Sequence, residues 1–149
     1  MASMTRAFED ETYQRLCRAR RFIDEGFDQP LSLDQISGEA CFSRYHFLRL
    51  FRRAFNITPH QYLTEKRIER AKELLAYGKL SVTDICFEVG FQSLGSFSNL
   101  FRKSVGYSPI VYRTRTAERP VLNIPGQNSA ASVPSCFLFM FGLKNHTNC

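Results

Sequence analysis

The sequence predicts an all-α protein with two helix-turn-helix subdomains joined by a long linker helix. Three observations support this fold class: an internal repeat, apolar residues at helical spacing, and capping residues where helices should start. The 149-residue chain is long enough to bury an ordinary core without disulfide bonds. Its 44% hydrophobic and 23% charged residues are typical of a globular protein.

The internal repeat covers residues 31–62 and 80–112. An offset of 49 aligns the first part of the two copies, and an offset of 50 aligns the rest, so the second copy has one extra residue at Gln92. A single supersecondary unit used twice accounts for this pattern. The identical pairs are Leu31/Leu80, Ser32/Ser81, Ile36/Ile85, Glu39/Glu88, Phe42/Phe91, Ser43/Ser93, Phe47/Phe97, Leu50/Leu100, Phe51/Phe101, Arg52/Arg102, Pro59/Pro109 and Tyr62/Tyr112.

The first helix of each unit is predicted from a capping signal. Ser32 and Gln35 have the spacing of a capping box, in which the two side chains satisfy backbone amides at a helix start. Ser81 and Asp84 have the same spacing. The helices that follow are short, and each has three apolar residues expected to face inward. These are Leu33, Ile36 and Ala40 in the first copy and Val82, Ile85 and Val89 in the second.

A tight turn should follow each short helix. Gly90 stands where a left-handed residue is wanted, whereas the equivalent Cys41 departs from that preference, so we expect a strained or differently shaped first turn. Ser43 and Ser93 then serve as N-caps of the second helices. These helices have apolar residues on one face of a 3.6-residue period. The predicted core residues are Phe47, Leu50, Phe51, Ala54 and Phe55, and Phe97, Leu100, Phe101 and Val105.

The remaining segments are predicted from breakers and amphipathic spacing. Asn56 and Gly106 should end the second helices, and Pro59 and Pro109 should begin the next ones. We expect residues 59–77 to form an amphipathic linker helix and residues 8–27 to form a helix that packs on the first unit. The predicted segments are 1–29 (N-terminal helix), 30–57 (first unit), 58–78 (linker helix), 79–116 (second unit and closing helix) and 117–149 (a tail with an apolar cluster).

The net charge of +6 is concentrated in the repeated part of the chain. Residues 30–116 hold thirteen basic and seven acidic residues, and the rest of the chain is nearly balanced. Residues 41–60 carry four arginines and no acid, and residues 89–117 carry four basic residues and no acid. Two basic stretches in a duplicated helix-turn-helix indicate nucleic acid as the first candidate partner.

These residues resemble a known family. The run Ile85-Cys-Phe-Glu-Val-Gly-Phe-Gln-Ser93, followed by Ser96-Phe-Ser-Asn-Leu-Phe-Arg-Lys103 and Gly106-Tyr-Ser-Pro109, is similar to the signature of AraC/XylS-type bacterial transcription regulators. The similarity covers residues 31–115. It implies a duplicated, homeodomain-like DNA-binding domain, either of the short stand-alone type or excised from a longer sensor-bearing regulator. Cys86, Ser96 and Asn99 depart from the usual alanine, aromatic and arginine, which affects base preference and not the fold.

The second helix of a helix-turn-helix enters the major groove with its N-terminal part. Its outward side chains are therefore candidate base contacts, and Arg49 is the strongest because arginine can pair bidentately with guanine. Any one of these side chains could instead contact a phosphate or only solvent. The candidate base contacts are Arg44, Tyr45, Leu48, Arg49, Leu94, Gly95, Ser98 and Asn99. The candidate backbone contacts are Ser43, Arg52, Arg53, Ser93, Arg102 and Lys103.

The predicted partner is double-stranded promoter or operator DNA, and the resemblance adds RNA polymerase. The linker helix of nineteen residues is about 28 Å long, close to the roughly 34 Å between successive major grooves. A single chain should therefore contact two unlike sites about 10 base pairs apart. The cluster Cys136–Phe141 in the tail is expected to pack on the domain or to form a homodimer.

Other functions have less support. His46 and His60 stand apart from any carboxylate or nucleophile pattern, so we expect no enzyme activity and no catalytic residue. Five widely spaced cysteines without a C-x-x-C pair argue against a zinc site or a disulfide framework and favour small buried side chains in a reducing cytoplasm. We expect no metal and no cofactor, and a cytoplasmic, nucleoid-associated location. A thiol- or ligand-responsive regulator and a protein-interaction module remain the alternatives. The absence of an apolar run of bilayer length argues against a membrane protein.

Overall fold

The computed structural model describes residues 2–117, with side chains from residue 10 onward. That part of the chain contains helices and no strand, which confirms the all-α fold class and the long linker helix. The helices are α1 (Ala2–Gly26), α2 (Leu33–Glu39), α3 (Arg44–Phe55), α4 (Pro59–Tyr77), α5 (Val82–Glu88), α6 (Leu94–Val105) and α7 (Pro109–Ala117).

The described residues divide into two compact units, the first ending at Arg67 and the second beginning at Ile68. The division lies inside α4, so the linker helix is not a separate segment. Its first half packs in the first unit and its second half in the second. Helix α1 begins before the predicted Phe8 and packs against α2 and α3.

The predicted capping boxes are present. The Ser32 hydroxyl accepts a hydrogen bond from the backbone N–H of Gln35 (3.2 Å), and the Gln35 side chain accepts one from the Ser32 N–H (2.8 Å). Ser81 and Asp84 make the same reciprocal pair. A third box at Thr58 starts α4. Because these bonds join residues three apart, local sequence is sufficient to form them.

The two inter-helix turns have the same hydrogen bonds despite their different residues. In the first, the N–H groups of Cys41 and Phe42 donate to the carbonyls of Gly38 and Ser37; in the second, Gly90 and Phe91 make the equivalent bonds. This is the Schellman motif, which requires a left-handed residue after the helix. Cys41 adopts φ 54° and Gly90 φ 86°. The first turn is therefore strained at Cys41 and not differently shaped, and the second is one residue longer at Gln92.

The strain at Cys41 leads to a stability prediction. We expect Cys41→Gly to raise the free energy of unfolding by about 0.5 to 1 kcal/mol, because relief of the left-handed penalty exceeds the entropy that glycine adds to the unfolded chain. Urea denaturation would measure the change. The reverse exchange in the second turn, Gly90→Cys, should destabilise the protein. A destabilised Cys41→Gly variant would contradict this account and show that the Cys41 side chain contributes favourable contacts.

The core of the first unit is built around phenylalanines of α3. Phe47 and Phe51 are fully buried and Phe55 is 6% exposed. The rings of Phe51 and Phe55 meet edge to face with centroids 4.6 Å apart. Arrangements of this kind add to the stabilisation from burial. The other buried hydrophobic residues of the unit are Leu16, Ala19, Ile23, Ile36, Ala40, Ile57, Tyr62 and Leu63.

Polar side chains join α1 to α4 within the first unit. The Tyr62 hydroxyl accepts a hydrogen bond from Arg20 Nε (2.9 Å) and donates one to Asp24 Oδ1 (2.7 Å). Burial raises the pKa of Tyr62, so this phenol stays protonated. Arg67 donates to the backbone carbonyls of Phe27 (2.6 Å) and Gln29 (2.9 Å), just beyond the end of α1. These bonds join α4 to α1 and to the segment that follows α1.

The second unit has an equivalent phenylalanine core, but a different side-chain hydrogen bond joins its helices. Phe97 and Phe101 are fully buried, with ring centroids 5.7 Å apart, and Tyr112 meets Phe101 at 5.5 Å. Arg113 Nη2 donates to the Leu80 carbonyl (2.6 Å), which joins α7 to the segment before α5. The rest of the buried cluster consists of Ile68, Ala71, Leu75, Ile85, Cys86, Val89 and Phe91. Each helix-turn-helix thus has its own apolar core.

Cys41 and Cys86 differ in exposure. Cys86 is buried as expected, but Cys41, in the turn between α2 and α3, is exposed. The apolar segment 136–141, with its proposed packing or dimerisation, lies outside the described residues. Within residues 2–117, none of the helices combines the length and the apolar character needed to cross a membrane.

Candidate nucleic-acid interface

The candidate base-contacting side chains lie on the surfaces of α3 and α6. Tyr45 is 72% exposed at the first turn of α3, and Leu48 is 36% exposed one turn later. Ser98 of α6 is half-buried, so it is less accessible than the other candidate base contacts. The exposed members of the predicted set are Arg44, Tyr45, Leu48, Arg49, Leu94, Gly95 and Asn99. They are accessible to a partner because the buried phenylalanines occupy the opposite face of each helix.

Tyr45 and Arg49 lie one turn apart on the exposed face of α3. The Arg49 guanidinium carbon is 5.9 Å from the centroid of the Tyr45 ring. A cation–π contact of this kind is weak at an exposed site, on the order of 0.5 to 1 kcal/mol, but it limits the orientations of the arginine. The Arg49 guanidinium therefore lies beside an exposed aromatic ring. In this arrangement the guanidinium can pair with a base edge while the Tyr45 ring stacks.

Arg44, the first residue of α3, pairs with Asp34 of α2. Its Nε lies 3.0 Å from Asp34 Oδ1, and the two side chains are 64% and 68% exposed. Among the described residues this is the one ion pair made by any of the candidate DNA-contacting cations. The sequence does not single out Asp34 as part of the site, because ten residues separate the partners and only the turn brings them together.

The exposed surface of α6 is smaller and less charged. Leu94 is 41% exposed, and no atom lies within 4 Å of a Cβ placed on Gly95. Ser93 caps the helix: its hydroxyl accepts from the Ser96 N–H (3.1 Å) and donates to the Ser96 hydroxyl (3.0 Å). Ser43 precedes α3 in the same position, but its side chain makes no capping bond. The equivalent helices therefore present different chemistry.

The predicted backbone-contacting cations occupy the last turns of both helices. Arg52 and Arg53 lie in the last turn of α3, and Arg102 and Lys103 lie in the last turn of α6. All four are exposed, and none of them forms an ion pair within the part of the chain that the structure describes. Their charges lie beyond the helix turns that carry the candidate base contacts. This placement suits phosphates, which contribute affinity without sequence information.

The surroundings of His46 and Cys86 bear on the alternative functions. His46 is exposed and stacks on Phe42, with ring centroids 5.3 Å apart. Burial raises the pKa of the Cys86 thiol, which makes it a poor nucleophile at neutral pH. Among residues 2–117, no three His, Cys, Asp or Glu side chains are grouped as metal ligands would be.

The structure also exposes apolar side chains that sequence periodicity does not predict. Phe87 on α5 is 55% exposed and Ile110 on α7 is 66% exposed. Their positions in the repeat offer no signal, because the equivalent residues in the first copy are the dissimilar Gly38 and His60. Tyr107 is 42% exposed and lies against the guanidinium of Arg115, 4.0 Å from its ring centroid.

Comparisons with known proteins identify the family. A family of helix-turn-helix domains matches residues 36–115, which is more than half of the chain. The chain is 32% identical over 108 residues to LumQ, a probable transcriptional regulator of Photobacterium leiognathi, covering 71% of this chain and 44% of LumQ. It is 31% identical over 94 residues to the regulatory protein SoxS of Salmonella typhimurium, covering 63% of this chain and 88% of SoxS.

A solved structure agrees with these sequence matches. The DNA-binding domain of the global transcriptional factor AdpA, determined in complex with a target DNA, superposes with a TM-score of 0.67. It is 29% identical and covers 71% of this chain and 96% of that domain. The chain spans less than half of the length of LumQ. The repeat, the two helix-turn-helix units and these similarities together show that the chain belongs to the AraC/XylS-type family of helix-turn-helix transcription regulators.

Proposed function

We propose that the chain binds specific duplex DNA sequences and regulates transcription from them, with α3 and α6 as recognition helices. One observation carries the proposal: α3 and α6 share a buried phenylalanine framework yet expose different side chains. The framework keeps both helices in the same helix-turn-helix geometry. The exposed differences, such as Arg49 against Asn99, provide two unlike sets of base contacts.

The charge distribution supports a nucleic-acid partner. The exposed cations in the last turns of α3 and α6 would attract the negatively charged DNA backbone. Arg102 and Lys103 repeat Arg52 and Arg53, so both units have the same candidate phosphate contacts. Phosphate contacts position a protein on the duplex, and base contacts then select the sequence.

The relatives support the same class of partner. AdpA is a transcriptional factor whose DNA-binding domain was solved on its target DNA, and SoxS is named a regulatory protein. We also propose that the bound chain contacts RNA polymerase at the promoter.

The proposal predicts a bipartite footprint for a single chain. The length of α4, nineteen residues or about 28 Å, supports contacts with successive major grooves. We expect hydroxyl-radical footprinting on a duplex selected from random sequences to show two protected patches about 10 base pairs apart on one face. The two protected sequences should differ, because the exposed residues of α3 and α6 differ.

Two results would count against the proposal. A single protected patch would show that only one unit enters a groove, and a palindromic pair of sites would show that two chains are needed. Arg49→Ala and Asn99→Ala provide matched controls, since each should relax base preference in only one of the two patches. A chain that selects no sequence from random duplex DNA would exclude sequence-specific binding altogether.

A further inference from the structure

The Asp34–Arg44 pair links the two helices of the first helix-turn-helix across its turn. The pair joins the second residue of α2 to the first residue of α3. Arg44 is more than half exposed and belongs to the predicted base-contacting set, whereas Asp34 would repel a DNA backbone. The placement of a carboxylate beside a candidate DNA contact requires an explanation.

Fold stability does not explain the pair. An exposed ion pair contributes little to stability, typically 0 to about 1 kcal/mol. The second unit offers an internal comparison, because its equivalent residues are Thr83 and Leu94. That unit forms the same helices and the same turn hydrogen bonds without an ion pair at this position. The helix-turn-helix therefore does not need the contact.

The contact with Asp34 leaves the two Nη atoms of Arg44 available. The Asp34 carboxylate lies 3.0 Å from Nε, the nitrogen nearest the chain, as an ion pair and not as a hydrogen bond. Within the described part of the chain, neither Nη atom of Arg44 has a hydrogen-bond partner. These atoms form the planar fork that binds a guanine edge or a phosphate bidentately. Attraction to a carboxylate beside Nε favours guanidinium orientations that keep Nε towards Asp34, which leaves both Nη atoms available to a partner.

We propose that Asp34 is a specificity-determining positioning residue, which orients Arg44 for one base-pair edge and lowers the affinity for DNA of other sequences. This inference rests on the proposed DNA-binding function. The carboxylate compensates part of the arginine charge, so generic attraction to phosphates is weaker. It also fixes the fork before binding, so the specific contact loses less side-chain entropy when it forms.

Substitutions taken from the second unit test the proposal without changing the fold. Asp34→Thr and Arg44→Leu introduce the residues that the same positions carry in the other copy. The measured quantity is the specificity ratio, the affinity for a selected duplex divided by that for a random duplex at one salt concentration. We expect Asp34→Thr to lower this ratio about fivefold or more, with random-duplex binding becoming tighter. Thermal melting would verify that the variant is folded.

A control variant separates positioning from charge. Glu39 also lies on α2, is exposed, and makes no ion pair among the described residues. Glu39→Gln removes the same charge and should tighten binding to both duplexes while changing the ratio less than twofold. In an Arg44→Leu background, Asp34→Thr should no longer change the ratio.

The outcomes are distinct. Three results would each overturn the positioning role of Asp34. The specificity ratio could stay unchanged in Asp34→Thr, or it could fall equally in Glu39→Gln. It could also fall on Asp34→Thr substitution in the Arg44→Leu background. Failure of the wild-type chain to prefer the selected duplex would instead overturn the proposed DNA-binding function. If the wild-type chain prefers the selected duplex but Asp34→Thr does not change the specificity ratio, only the role of Asp34 is overturned.

Discussion

The Arg49→Ala variant should lose specific DNA binding while keeping its fold. We expect affinity for the selected duplex to fall by about 1 to 3 kcal/mol, or roughly 5- to 150-fold, because a bidentate arginine–guanine pair contributes discrimination of this size. Binding to random duplex should change much less. The exposed Arg49 contacts only the Tyr45 ring among the interactions described for it, so thermal stability should stay close to that of the wild type.

Two further variants distinguish a base contact of Arg49 from a phosphate contact. Arg49→Lys keeps the positive charge but loses the planar fork, so it should not restore binding to the selected duplex. Arg52→Ala removes a charge from the last turn of the same helix and should weaken both duplexes, with the salt dependence falling by about one unit of slope. Equal losses on both duplexes for Arg49→Ala would assign Arg49 to the phosphate contacts.

The Phe51→Ala variant should have the largest effect on stability. Phe51 is fully buried, and its ring lies against Phe47 (5.3 Å), Phe55 (4.6 Å) and Tyr62 (6.2 Å) between ring centroids. Removing it leaves a cavity that its rigid aromatic neighbours cannot fill. We expect a loss of about 3 to 5 kcal/mol, a large part of the stability of a small domain.

Denaturation with urea would measure the Phe51→Ala loss, and the repeat offers a parallel experiment. Phe101 is the equivalent residue in the second unit and is also fully buried, so Phe101→Ala should cost a similar amount. Phe51→Leu, which keeps most of the apolar volume, should cost less than half as much. A loss below 1 kcal/mol for Phe51→Ala would show that the site collapses around the smaller side chain.

Secondary structure was largely predictable because its signals are local. Ser32 and Ser81 cap helices through bonds to residues three positions away, and Asn56 and Gly106 end helices in the left-handed conformation. The phenylalanine stripes were predictable because residues three or four apart share one helix face. The burial of Phe47 and Phe97 confirms the orientation of α3 and α6 within their units.

Side-chain partners across helices were not predictable. Asp34 meets Arg44 only because the turn at Cys41 brings the start of α2 near the start of α3. Arg67 donates to backbone carbonyls beyond the end of α1, and no periodic pattern in the sequence indicates such contacts. The exposure of Phe87 is also a tertiary property, since an apolar residue on a short helix is equally compatible with burial.

The sequence by itself determined that this protein is a duplicated helix-turn-helix with two basic stretches, because capping, periodicity and repetition act between near neighbours. Only the tertiary structure decided which charged side chains are paired and which are free to meet a partner. The left-handed φ of Cys41 illustrates the difference: the sequence indicates an unfavourable residue, and the folded turn imposes the conformation because its two hydrogen bonds and the packing around it outweigh the local strain.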